Sequence, residues 1–112
     1  MKKILILGTA LLCGFLCRVA AQGVEFRDLT FGQALEQART ENKLVFMDCY
    51  TSWCGPCKNM LKNVFTLPEA GEFMNAHFVC VKYDMEKGEG IGLKKQFAVR
   101  AFPTFFIIRP DG

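Results

Sequence analysis

A chain of 112 residues suffices for one domain and one hydrophobic core, and its apolar fraction of 51% is high for a soluble domain of that size. The formal charge of +3 sits at the front: without Met1–Ala21, which carries Lys2, Lys3 and Arg18 and no acid, 11 basic residues face 11 acidic ones. A formally neutral remainder excludes an electrostatic case for nucleic acid or an anionic membrane surface as partner.

Met1–Ala21 combines Lys2 and Lys3, an apolar run from Ile4 to Leu16, and the small residues Ala20 and Ala21 before Gln22. That order is the pattern of a secretory signal peptide, expected to be cleaved after Ala21. The run is 13 residues long, against the roughly 20 that a membrane-spanning helix needs. An uncleaved segment is the alternative, and the only expected route to membrane contact. Leu12 and Leu16 precede Cys13 and Cys17 where a lipidated cysteine needs a small neighbour, which argues against a lipid anchor. Cleavage leaves Cys49, Cys54, Cys57 and Cys80 in an exported, oxidising compartment, periplasmic if the source is Gram-negative.

Residues 22–112 read as one α/β domain. Val24–Phe26 is a candidate first strand. Thr30 with Gln33 forms a capping box ahead of Phe31, Ala34, Leu35 and Ala38, which predicts a helix from Phe31 to Glu41 closed near Asn42. "LVFMDCY", Leu44–Tyr50, is apolar on both parities except at Asp48, as expected of a central strand covered on both faces. Cys54–Phe65 reads as a helix with Met60, Leu61, Val64 and Phe65 on one face. Thr66 with Glu69 suggests a second capping box, and Pro68 the first turn of a helix reaching about Asn75. His77–Asp84 is a strand, "MEKGEGIG" a surface loop, Leu93–Phe97 a short helix and Pro103–Arg109 the next strand. Pro110-Asp111-Gly112 is a hairpin signal, which suggests that a partner strand follows and that the domain is C-terminally truncated.

Cys54 and Cys57 stand in Trp53-Cys54-Gly55-Pro56-Cys57-Lys58. A Cys-x-x-Cys pair alone serves zinc, a structural bridge or redox exchange. Zinc needs two more ligands at matching spacing, and the candidates are Cys49 and Cys80, both in expected buried strands, and the single His77. A bridge over so short a loop removes little chain entropy, which suits exchange better than stapling. The redox reading has a mechanism: a sulfur at a helix start faces free backbone N–H groups and the positive dipole end, which favour thiolate. Moving a thiol pKa from about 8.5 to about 7 takes about 2 kcal/mol, more than the roughly 0.3 to 1 of an ordinary helix terminus. A hydrogen bond from the Cys57 thiol is expected to supply the rest. Cys57, one turn inward, is the expected less exposed resolving thiol. Gly55 admits a partner chain, and Pro56 suits the first helical turn, where no N–H partner is needed.

"DCYTSWCGPCK" followed by "VRAFPTFF" resembles the thioredoxin superfamily, over roughly Val24 to Gly112. The stretch "KNVFTLPEAGEFMNAHFVCVKYDMEKGEG" looks more like the exported branch that includes the C-terminal domain of the membrane thiol conductor DsbD. The resemblance implies a thioredoxin fold, a central mixed sheet flanked by helices, here read as lacking its last strand and helix. It implies Cys54 as nucleophile, Cys57 as resolving thiol and Trp53 as an aromatic rim. Asp48 stands where thioredoxins keep a buried carboxylate that assists proton transfer. The residue pattern agrees, since a lone acid in an apolar strand has a raised pKa; a merely satisfied carboxylate near the strand end is the alternative. Lys82 falls where many thioredoxins place a basic partner for that acid, or else is a solvent-facing strand lysine. Phe102-Pro103-Thr104 resembles the cis-proline loop that faces the cysteines and pairs with an extended substrate. Phe102 replaces the commoner smaller aliphatic residue.

The function this implies is a thiol-disulfide oxidoreductase acting on protein disulfides, with Gly55-Pro56 resembling reducing members. Reduction in an oxidising compartment requires an electron source, expected to be a membrane thiol donor. No metal or cofactor is expected. The alternatives are a non-catalytic peptide-binding or chaperone module, and an isomerase. Cys49 and Cys80 are expected to be free, buried and unreactive.

Overall fold

The computed structural model describes residues 22–112. The expected signal segment, residues 1–21, lies outside the described residues. Helix α1, Phe31–Glu41, follows the capping box read from the sequence: the Thr30 hydroxyl accepts the Gln33 N–H and the Gln33 side chain accepts the Thr30 N–H. Asn42 ends it in the left-handed region (φ 59°), its N–H donating to the Ala38 and Arg39 carbonyls. Three strands follow in the chain, β1 (Leu44–Tyr50), β2 (Phe78–Asp84) and β3 (Thr104–Ile108). Helices α2 (Gly55–Asn63) and α3 (Pro68–His77) lie between β1 and β2, and α4 (Gly90–Gln96) between β2 and β3.

The sheet order is β2-β1-β3, with β1 parallel to β2 and antiparallel to β3. This is the expected mixed sheet with "LVFMDCY" at its centre. Alternation along β1 divides the core in two. Val45, Met47 and Cys49 join Val79, Val81 and Ile108 on one face, where Ala34 and Ala38 of α1 and Leu93 of α4 close over them. Phe46 joins Cys80 and Phe65 on the other, with Met60 and Leu61 of α2 packed against them. Two faces sealed this way explain why β1 has almost no polar residues.

Several boundaries differ from the sequence reading. Val24–Phe26 is not a strand; only a single parallel bridge joins Phe26 to Cys80. The ladder stops because neighbouring donors are used elsewhere: the Val24 N–H reaches the Phe65 carbonyl and the Glu25 N–H the Asn75 side chain. Helix α2 ends two residues earlier than expected, with Val64 as its C-cap. Thr66 does not cap α3. Its hydroxyl donates to the Lys62 carbonyl, and Leu67 is the N-cap without a side-chain bond. Helix α3 runs on to His77, so β2 begins at Phe78, and α4 starts at Gly90, ahead of the expected Leu93. Pro110–Gly112 does turn, the Gly112 N–H reaching the Arg109 carbonyl at 2.8 Å.

The segment before α1 is tied down at both ends. Arg27 makes a two-point contact with Glu41 at 2.7 and 2.9 Å, and this contact, with Gln37 and Lys43, holds the Glu41 carboxyl far below its ordinary range. Gln22 and Gly23 pass so close over α3 that a Cβ on Gly71 would run into the backbone of both. Gly32, exposed in α1, has open space where its Cβ would stand. The same substitution therefore has opposite signs. Gly32→Ala is expected to stabilise by about 0.5–1 kcal/mol through helix propensity, and Gly71→Ala to destabilise by about 1–3 kcal/mol by displacing the crossing segment. Denaturant unfolding of both variants checks this; equal shifts of one sign contradict it.

Candidate active site

Strand β1 delivers the chain to the site. It ends at Tyr50, turns through Thr51–Trp53, and enters α2 with Cys54 as the N-cap in an extended conformation (φ −78°, ψ 112°). The Cys54 sulfur accepts the Cys57 backbone N–H at 3.1 Å, so a sulfur occupies the capping position that Ser or Asp commonly fills. Pro56 lies in the first turn, where its missing N–H is no loss, and no acid stands there to oppose a developing thiolate. Cys54 and Cys57 are joined as a disulfide.

The expected difference in exposure between the two sulfurs is not observed. Both cysteines are 3% exposed, because the bridge turns each sulfur toward the other. Their asymmetry is positional: Cys54 caps the helix and Cys57 lies within its first turn. Gly55 and Pro56 are exposed above them, and a Cβ added to Gly55 would meet nothing within 4 Å. That open side leaves room for an approaching chain.

The Phe102–Pro103 peptide bond is cis, as the resemblance implied. Thr104 opens β3 opposite Cys49 of β1, and its hydroxyl donates to the Ala101 carbonyl at 2.6 Å, which closes the proline loop on itself. Trp53 is 63% exposed and meets the Phe102 ring edge-on, with centroids 5.9 Å apart. The residue before Cys54 and the residue before the cis-proline thus form one aromatic rim. Sequence reading missed the third member. The Trp53 indole N–H donates to the Glu86 carboxylate at 3.1 and 3.2 Å. Glu86 sits in the charged loop after β2, and nothing in that loop's pattern singles out one acid.

Asp48 lies on the α2 side of the sheet by parity with Phe46, 1% exposed, between Lys82 on β2 and Phe105 on β3. Its Oδ1 and the Thr51 hydroxyl have no hydrogen-bond partner among the described residues. Burial pushes its carboxyl up to about 6, with the Lys82 charge opposing the rise. Of the two sequence readings of Lys82, basic partner of the acid or solvent-facing strand lysine, the register favours the first: it pairs Lys82 with Asp48, and the residue is half-buried. A raised acid keeps its proton in the folded state after the unfolded one has released it, so its contribution to stability falls as pH rises from 3.8 to about 6. That difference corresponds to about 3 kcal/mol above the window. Asp48→Asn is expected to be more stable than the parent by about 1–3 kcal/mol at pH 8, with the gain lost near pH 4. Urea unfolding at both values checks the sign; a gain independent of pH contradicts it.

Cys49 and Cys80 are free and buried. The register pairs Cys80 with Phe46 and Cys49 with Tyr83, so the two thiols lie on opposite faces of the sheet and do not meet. Burial pushes Cys49 up to about 12 and Cys80 up to about 11, in line with the expected lack of reactivity.

Known proteins are similar to this chain in sequence and in fold. The sequence profile described as "Thioredox_DsbH: Protein of unknown function, DUF255" matches residues 10–101. A solution structure from Bacteroides thetaiotaomicron, of a protein provisionally assigned as a disulphide-isomerase, superposes with a TM-score of 0.73 at 48% identity, covering 84% of this chain and 78% of that one. Thioredoxin-2 of Pyricularia oryzae is 32% identical over 95 residues, which is 85% of this chain and 52% of that protein, so the chain spans about half of that relative's length. The thiol:disulfide interchange protein DsbD of Pseudomonas fluorescens is 31% identical over 80 residues, 70% of this chain and 14% of DsbD. With its mixed sheet, its helix-capping Cys54 and its cis-proline, the chain belongs to the DsbH-like thioredoxin family, among relatives that include DsbD.

Proposed function

We propose that this protein is a thiol-disulfide oxidoreductase that reduces protein disulfides in an exported compartment. The observation that carries the reading is the Cys54 sulfur at the N-cap of α2, accepting the Cys57 N–H, within a fold whose cis-proline loop shares an aromatic rim with the cysteine segment. In the reduced protein the Cys54 thiolate attacks one sulfur of a substrate disulfide. A mixed disulfide forms and the first substrate thiolate leaves. The Cys57 thiol gives its proton to the Asp48 carboxylate and attacks the Cys54 sulfur, which releases the second substrate thiolate. Two electrons pass to the substrate and the Cys54–Cys57 bond closes.

Gly55 and Pro56 leave one side open to the substrate chain, while Trp53, Phe102, Pro103 and Thr104 receive its backbone. A membrane thiol donor restores the dithiol. Export rests on the charged start, apolar middle and small-residue end of Met1–Ala21, and the reducing direction on Gly55-Pro56. The assignment of the Bacteroides relative favours isomerisation as a second reading.

The reduced protein is expected to cleave insulin disulfides, Cys54→Ser to abolish that activity, and Cys57→Ser to accumulate the mixed disulfide. A couple near about −270 mV fits reduction, and one near about −180 mV isomerisation. Full insulin cleavage by Cys54→Ser would refute the scheme.

A further inference from the structure

Lys82 lies directly across from the buried Asp48, yet among the described residues it makes no ion pair that would fix its flexible stem. Two aromatic rings do approach it. Its ammonium nitrogen is 5.3 Å from the centroid of Tyr50, which shares the Asp48 face of β1, and 5.9 Å from that of Phe26. Both distances are within the range of cation–π attraction. Phe26 is held there by the bridge to Cys80, and the Arg27–Glu41 contact anchors the next residue.

We propose that Tyr50 and Phe26 form an aromatic cradle that holds the Lys82 ammonium beside Asp48, making Tyr50 a positioning residue that sets when the carboxyl ionises. The importance of the cradle for catalysis rests on the reading of Asp48 as proton acceptor. A lysine on four methylenes spends its time in bulk water unless something retains it, and its charge then acts on a buried acid through high dielectric. Retained beside Asp48, it favours the carboxylate and offsets part of the burial.

The other charged groups leave this arrangement standing. Asp84 is on the same face of β2, half-buried, and its carboxylate accepts the Glu86 N–H at 2.9 Å. Arg27 and Asp28 line the surface pocket beside Lys82, with Arg27 already engaged by Glu41. From α2 the nearest titratable groups in sequence are the two bonded cysteines, which carry no charge, and the exposed Lys58; β3 presents Phe105. Tyr50 itself is neutral, its phenol pushed up by burial, so removing it removes no charge.

The test follows the Asp48 carboxyl carbon by NMR titration of the oxidised full chain, with the pH profile of insulin reduction in parallel. Lys82→Met is expected to raise the Asp48 midpoint by about one unit, and Tyr50→Leu by about half a unit or more. Tyr50→Phe, which keeps the ring, is expected to match the parent. On the Lys82→Met background, Tyr50→Leu is expected to add nothing. Should Tyr50→Leu fail to fold, Phe26→Leu takes its place in the same cycle. An equal shift in both backgrounds, no shift, or a fall overturns the cradle, because the ring then acts through burial alone. A shifted midpoint with an unmoved activity profile upholds the cradle and removes Asp48 from the exchange chemistry.

Discussion

Strand β1 has both edges hydrogen-bonded, to β2 and to β3, and both faces covered by apolar side chains. Most of what the site needs follows from that burial. The strand is a rigid support whose C-terminal end sets where Thr51–Trp53 must turn and where α2 must begin. Its antiparallel neighbour begins at Thr104, opposite Cys49, so the cis-proline loop arrives at the same end of the sheet without any contact designed for that purpose. The Trp53–Phe102 contact then joins two segments about 50 residues apart in sequence.

The same burial creates the one electrostatic tension in the core. A carboxyl at the centre of a sealed strand loses its hydration, and only the Lys82 charge on the next strand compensates it. Burial wins, and the carboxyl is pushed up to about 6. A proton acceptor is most useful when its pKa lies near the working pH, because it is then both available as base and able to hold the proton. Stability is lost to that burial: an apolar or amide residue at the position removes a charge the interior does not solvate. Residues 22–112 carry no net formal charge, with 11 basic and 11 acidic residues. The tuning is local to one sheet face.

The parts legible in the sequence were those dictated by neighbours along the chain. Thr30 and Gln33 cap α1 because the capping box is a local bond pattern, and Leu44–Tyr50 is central because a doubly buried strand has no polar face to show. Thr66 and Glu69 carry the same local pattern as Thr30 and Gln33, yet Thr66 serves the end of the preceding helix. Only the path of the chain between α2 and α3 decides between the two. Val24–Phe26 has strand-like residues, but its donors found partners in α3 and the loop after α2, which no local rule foresees. The cysteines, Asp48 and the proline loop were found through motif and resemblance. Glu86 and the rings around Lys82 were not, because they act through contacts between segments whose spacing carries no motif.

Four cysteines in one domain show how far environment, not residue type, decides chemistry. Cys49 and Cys80 are surrounded by apolar side chains on opposite faces of the sheet, and a thiolate at either place would be unsolvated; burial holds both as thiols. Cys54 and Cys57 are no more exposed. Exposure therefore does not separate the reactive pair from the inert one. What separates them is the start of a helix, where the backbone offers N–H groups that no carbonyl in the helix claims. One of these, on Cys57, already points at the Cys54 sulfur. A buried sulfur that is given such a donor is solvated by the protein in place of water, which stabilises negative charge on it.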